Sequence, residues 1–145
     1  MMNSVSAQHY LALDVGARRI GVAYAESSIR LPIACDTLTV DGNELQRLGD
    51  IIDELHITHL VVGLPRNQSG EETAQSAISR EFAETVKKKF RLPVFLQDES
   101  LTSVLAEDRL RASRKPYTKE DIDAAAAAII LCDYLGVPYA PTTIA

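Results

Sequence analysis

Hydrophobic and polar positions alternate with period two on both sides of an early turn, and after Gly42 the pattern changes to helical spacing. Leu11, Leu13 and Val15 alternate with Tyr10, Ala12 and Asp14, and Ile20 and Val22 alternate with Gly21 and Ala23. Alternation on both sides of a tight turn, Gly16-Ala17-Arg18-Arg19, predicts a β-hairpin. A third extended run covers 33–40, with Pro32 at its start, where proline is tolerated. Asp41-Gly42-Asn43 ends it as a turn. The expectation is a three-stranded antiparallel meander with strands near 10–16, 19–25 and 33–40.

From Glu44 to His56, Leu45, Leu48, Ile51, Ile52 and Leu55 recur at helical spacing. The run Leu60-Val61-Val62-Gly63-Leu64 suits a strand buried on both faces. A polar loop, 65–72, precedes a second helix of about 72–90, with Ala74, Ile78, Phe82, Val86 and Phe90 as its apolar stripe. Lys87, Lys88 and Lys89 lie at its C-terminal end, where cations favour the helix dipole. Another buried strand is expected near 93–97. Alternating strands and helices imply parallel pairing with right-handed crossovers, an α/β fold. The last third is helical. Leu101, Val104, Leu105 and Leu110 mark one helix. Thr118 and Asp121 resemble a capping box for the last helix, Gly136 stands at a C′ position, and Ala124–Ala128 allow close backbone approach.

Length and composition narrow this frame. The 145 residues suffice for one sizeable core. One domain is expected over 9–138, with a disordered start at 1–8 and a tail at 139–145. No apolar run approaches the ~20 residues of a membrane helix. The start lacks the basic and apolar regions of a signal peptide, which points to the cytoplasm and away from membranes. Cys35 and Cys132 lack metal-ligand spacing and read as small buried hydrophobes. The net charge of −5 excludes a chain coated in positive charge, though not a local basic patch.

Such a patch exists. Residues 109–119 carry Arg109, Arg111, Arg114, Lys115 and Lys119 with no acid, and Tyr117 is available for stacking. This composition suits contact with nucleic-acid phosphates, or else forms a solvated loop. Arg18 and Arg19 could add charge at the same edge.

The acids are placed less ordinarily. Aspartate is depleted in strands, and a carboxylate facing a core is costly. Asp14 therefore either bonds turn amides or belongs to a site. Asp98 and Glu99 follow the 93–97 strand, and Asp123 lies on the alanine side of the last helix. Parallel βαβ units gather strand C-terminal ends at one edge, where ligands bind. Acids meeting there would repel, and Mg²⁺ or Mn²⁺, hard cations that take oxygen ligands, would resolve this. Two such ions ~4 Å apart can clamp the attacking and leaving oxygens of a phosphodiester. His9, His56 and His59 are isolated and read as surface or structural.

Four stretches in order, LALDVGARRIGVA, VVGLP with Gly70 following, DESLTS and DIDAAAAAIIL, resemble the YqgF/RuvX family of the RNase H-like superfamily. That family is described as Holliday-junction resolvases and as pre-16S rRNA nucleases. The resemblance covers Tyr10 to about Leu135. It implies an RNase H-like, five-stranded mixed sheet of order 3-2-1-4-5, with the first three strands antiparallel and helices on the flanks. It carries the catalytic and metal-ligating roles to Asp14, Glu99 and Asp123, with Asp98 a less certain neighbour and Mg²⁺ or Mn²⁺ as cofactor. Arg18, Arg19, Arg111, Arg114, Lys115 and Tyr117 become the expected nucleic-acid contacts, with pre-rRNA or branched DNA as partner and a homodimer if the substrate is a junction. Ser100 stands where the family usually has arginine, which removes one phosphate contact and leaves an N-cap-like serine.

Two other readings stay open. Asp14-Val15-Gly16 also matches the strand end of actin- and sugar-kinase-like phosphate loops, but those proteins need two such domains. The second is an RNA-binding assembly factor without catalysis, which the acidic net charge and Ser100 leave possible.

Overall fold

The structure, a computed structural model, describes residues 7–99 and 102–139. Its strands are β1 (His9–Val15), β2 (Arg19–Glu26), β3 (Ile33–Ala34), β4 (Leu38–Thr39), β5 (His59–Pro65) and β6 (Val94–Glu99). Its helices are α1 (Glu44–Leu55), α2 (Ala74–Phe90), α3 (Thr102–Ala112) and α4 (Lys119–Leu135). The sheet runs β3-β2-β1-β5-β6, with β4 also on β2. Pairing is antiparallel among the first four strands and parallel for β1–β5 and β5–β6.

The sheet has six strands where five were expected, because the 33–40 run is interrupted. Ala34 pairs with Ala23, but Leu38 pairs with Ile20. Three residues on one side therefore oppose two on the other, a one-residue bulge. Cys35 N–H still donates to Val22 O at 2.7 Å, and Thr37 Oγ1 donates across to Glu120 O on α4 at 2.7 Å. The bulge thus faces Gly21 and Val22, beside the start of α4.

Period two divides the sheet into two faces. Leu11, Leu13, Val15, Ile20, Val22, Leu60 and Val62 form one core with Leu48 and Ile52 of α1 and Ala83 and Val86 of α2. Tyr10, Ala12, Ala23, Ala25 and Val61 meet Ala127, Ala128, Ile130 and Leu131 of α4 on the other. Helix α3 covers the back of α4 through Ala106, against Ala125, Ala126 and Ile129. The alanine run is therefore buried on both sides, and its small side chains let α4 lie between sheet and α3. Burying an alanine contributes little area, but five consecutive ones keep helix propensity high and backbones close.

The start of α4 is fixed as its sequence predicts. Asp121 N–H donates to Thr118 Oγ1 at 3.2 Å, and Thr118 N–H donates to Asp121 Oδ2 at 2.8 Å. Gly136 closes the helix in the left-handed region, at φ 70°.

The stripe on α2 differs from expectation. Ala74 is exposed and Ile78 is 46% exposed, while Ser76, Ser79, Ala83 and Val86 are buried. A strict four-residue repeat drifts around a helix of 3.6 residues per turn, so the first positions rotate outward. Ser76 is buried at no cost in lost hydrogen bonds: its hydroxyl donates to Pro65 O and accepts from Thr73 N–H. Ser79 Oγ is buried without a hydrogen-bond partner. Cys35 and Cys132 are free thiols.

Residues 1–6, Ser100, Leu101 and 140–145, and with them the expectations for both termini and the Ser100 N-cap, lie outside the described residues, as does the side chain of Val104. Among the described residues, no helix is long and apolar enough to cross a membrane.

Candidate active site

Two glycines in strand interiors build the site. Asp14 of β1 faces Gly21 across the antiparallel pair. On its other side β1 and β5 run in parallel with Leu13 beside Val62, so the next residue, Gly63, flanks Asp14. A Cβ on Gly21 would lie 1.9 Å from Asp123 O and 2.4 Å from Asp123 C, so the α4 backbone rests directly on this glycine. A Cβ on Gly63 would lie 3.0 Å from Glu99 Oε1, 3.1 Å from Glu99 Cδ and 2.5 Å from Ile130 Cδ1. The Glu99 carboxylate therefore occupies the space above Gly63. Each bare glycine admits one acid beside Asp14, and all three share the α4 side of the sheet. A glycine inside a strand weakens it, and close approach of another group is the usual reason to keep one.

Electrostatics reports the same crowding. Asp14 retains some solvent exposure, yet its carboxyl pKa is raised from 3.8 to about 7, first by burial, then by the charges of Glu99 and Asp123. The neighbouring charge is partly balanced. Arg19 Nε donates to Asp123 Oδ2 at 2.6 Å, with side chains 28% and 22% exposed. Gln75 Nε2 donates to Val15 O at 2.8 Å, tying the start of α2 to the end of β1.

The donor set is oxygen only, which suits a hard divalent cation, and the raised Asp14 pKa is a cost that such a cation would relieve. Asp14, Glu99 and Asp123 are the residues that would hold it. Among the described residues, no three His, Cys, Asp or Glu side chains are already arranged as a metal site. The guanidinium of Arg19 is the cation that Asp123 contacts instead.

Three sequence expectations are refined here. Glu99 is the last residue of β6, not the residue after it. Asp98 alternates to the opposite face of that strand from Glu99 and pairs with Arg66 Nη2 at 3.1 Å. The basic segment is exposed from Arg111 to Pro116. Arg111 lies within 3.6 Å of Glu107 and 3.5 Å of Asp108, and a hydrogen bond to Tyr117 raises its pKa. Arg114 adopts φ 59°, a left-handed turn that ends α3. The segment leads into α4 about 6 Å along the axis before Asp123. Arg18 is exposed in the hairpin turn.

Arg66 is the residue that sequence reasoning missed. It follows the apolar run of β5 and lines a cleft of about 180 Å³ with Asn67, Gln68, Gly70, Asp98 and Glu99. The available signal was its place as the first charged residue beyond a parallel strand, at the edge where ligands bind.

This arrangement can be compared with known proteins. A family model described as RuvX, Holliday junction resolvase, matches residues 8–136. The chain belongs to the RuvX family. A Chloroflexus aurantiacus relative named "Putative pre-16S rRNA nuclease" is 40% identical over 132 residues, covering 88% of this chain and 86% of the relative. One from Chromobacterium violaceum with the same name is 38% identical over 135 residues, covering 88% and 97%. Among solved structures, RuvC of T. thermophilus in complex with a Holliday junction substrate is similar at TM-score 0.52 and 14% identity, covering 88% of this chain and 94% of that one. The Fowlpox virus resolvase bound to Holliday junction DNA gives TM-score 0.53 at 9% identity, with 89% and 97% covered. At such identities the likeness is one of fold: a mixed sheet flanked by helices, as in RuvC-like resolvases.

Proposed function

We propose that this chain is a divalent-metal-dependent nuclease that hydrolyses phosphodiester bonds in structured nucleic acid, acting in the cytoplasm on the 5′ end of pre-16S rRNA. The observation that carries the reading is the meeting of Asp14, Glu99 and Asp123 from β1, β6 and α4, felt as the raised pKa of Asp14. Three crowded carboxylates at a sheet edge have no cheap structural purpose, whereas bound Mg²⁺ or Mn²⁺ would supply the positive charge that a phosphodiester transition state requires. The chain's own residues do the rest. The acids hold that charge, and Gly21 and Gly63 keep the acids close. Arg18 and the exposed Arg114 and Lys115 bind backbone phosphates by charge, with Tyr117 offering a ring. The relatives' name favours the RNA precursor, and recognition would be by shape.

Cleavage of a pre-16S rRNA fragment and of a four-way DNA junction in Mn²⁺, compared with Asp14→Asn, Glu99→Gln and Asp123→Asn, tests the reading. The expected result is metal-dependent cutting of the RNA, lost in all three variants. Binding without cleavage under every metal condition would instead make the chain an assembly factor. Symmetric cutting of the junction would call for two active sites and hence a two-fold dimer, which sedimentation velocity detects.

A further inference from the structure

The acid cluster carries its own cation, and its placement shows what that cation does. Asp123 does not need Arg19 to reach the site. Its backbone is seated on β2 because Gly21 has no side chain, with Asp123 O 1.9 Å from where a Cβ would be. The capping box of Thr118 and Asp121 fixes the turn before it, and Thr37 Oγ1 holds Glu120 O at 2.7 Å. Position is thus secured without Arg19, by the backbone seat on Gly21 and by side chains bonded to main chain before Asp123. What Arg19 takes from Asp123 is one carboxylate oxygen, Oδ2, at 2.6 Å. A carboxylate engaged by a guanidinium is a poorer donor to a second cation, and the two positive charges repel within a few ångströms. Arg19 is also the first residue of β2, next to the hairpin turn, with its side chain 28% exposed. A rotation of its flexible stem would bring the guanidinium to solvent and to any anion there.

We propose that Arg19 is an exchangeable internal counter-ion: it neutralises Asp123 when no divalent ion is bound, competes with that ion, and passes to a substrate phosphate when the ion takes its place. The inference rests on the reading of Asp14, Glu99 and Asp123 as the metal-holding acids, and makes metal and nucleic acid load together. By linkage, a phosphate that draws Arg19 away raises metal affinity, and bound metal raises phosphate affinity by the same factor.

The test is Mn²⁺ binding to the whole chain, by calorimetry, with no nucleic acid present. Arg19→Gln is expected to bind Mn²⁺ about fivefold more tightly than wild type, the worth of one part-exposed ion pair. Its melting temperature without metal falls, and its gain on adding Mn²⁺ is larger. Asp123→Asn is the control that separates the two ideas. If Asp123→Asn loses Mn²⁺ binding while Arg19→Gln binds equally or more weakly, Arg19 positions or assists and the competition is refuted, with the metal site intact. If Asp123→Asn binds Mn²⁺ as wild type does, the metal site itself is wrongly placed and the inference falls with it. Arginine side-chain NMR on the wild type gives a readout independent of any variant's folding. The Arg19 Nε–H is expected to be protected from solvent exchange without metal and to lose protection on adding Mg²⁺; unchanged protection at saturating Mg²⁺ overturns the proposal.

Discussion

Replacing Asp14 with Asn isolates the electrostatic cost of the site. In the folded chain the Asp14 carboxyl titrates at about 7, against an ordinary value of 3.8, mainly through burial and then through Glu99 and Asp123. Between those values the folded chain keeps a proton that the unfolded chain has lost. Stability therefore falls as pH rises through this window, and the cost is complete above pH 7. At about 1.36 kcal/mol for each pH unit between the two values, the ionised carboxylate costs about 4 kcal/mol. That is a large part of a small domain's ~5–15 kcal/mol. Asparagine keeps the shape and never ionises, so Asp14→Asn is expected to match wild type near pH 4 and to be more stable by up to about 4 kcal/mol at pH 8. Urea titrations in a chelator at half-unit steps from pH 4 to 8 give the curve for both proteins. Adding Mn²⁺ at pH 8 should restore much of the wild type's deficit, because a ligand that binds only the folded chain stabilises it, and leave the variant almost unmoved. A stability difference that does not change with pH, or a variant weaker than wild type at pH 8, would refute the reasoning. The second outcome would make Asp14 a residue that bonds the turn and not a charge held under stress.

Three other substitutions test separate parts of the structure. Gly21→Ala places a methyl group against the Asp123 backbone, which cannot swing aside, and is expected to cost about 3 kcal/mol by denaturation and to abolish cleavage. Ser79→Ala removes a buried hydroxyl without a hydrogen-bond partner and adds helix propensity, so the chain should gain about 1 kcal/mol in the same assay, with cleavage unchanged. Changing Arg114 and Lys115 together to Ala should leave the melting temperature unmoved, since both are exposed, and lower the slope of log affinity against log salt by up to ~2; an unchanged slope would return the segment to a solvated loop.

The sequence made some features plain because the cause of each was local. Period two in Leu11, Leu13 and Val15 and the helical repeat of α1 report which side of an element is buried, and no distant residue alters that. The Thr118–Asp121 capping box and Gly136 act within one turn of helix and were equally legible. The α2 stripe misled for a geometric reason: Ile78 fits a four-residue repeat, but the helix turns every 3.6 residues, and Ser76 could be buried because it bonds Pro65 O, a partner eleven residues away. The bulge at 35–37 was hidden likewise, since it is settled by what lies opposite, Gly21 and the start of α4.

For the site, residue types were readable and their relations were not. The suspicion that fell on Asp14 came from its own environment, a carboxylate in an apolar strand. Its two flanking glycines carry the more specific message, and that message appears only after the strands are paired. Gly21 and Gly63 are forty-two positions apart in the chain, but in the sheet they stand on either side of one acid. With a side chain at Gly21, α4 could not seat Asp123, and one at Gly63 would force Ile130 and the Glu99 carboxylate to shift. The same view changes Arg19. In the chain it is one of two adjacent arginines suited to phosphate; in the fold it is bonded to Asp123, 104 residues later, while Arg18 stays exposed. Two neighbours of identical chemistry thus have different surroundings, because Arg18 lies in the turn and Arg19 begins β2. One meets solvent and the other meets the acids. On the proposed assignment Arg18 meets phosphate throughout and Arg19 only after metal has displaced it from Asp123, so exchanging Arg18 for Gln should weaken nucleic-acid binding without the change in Mn²⁺ affinity expected for Arg19.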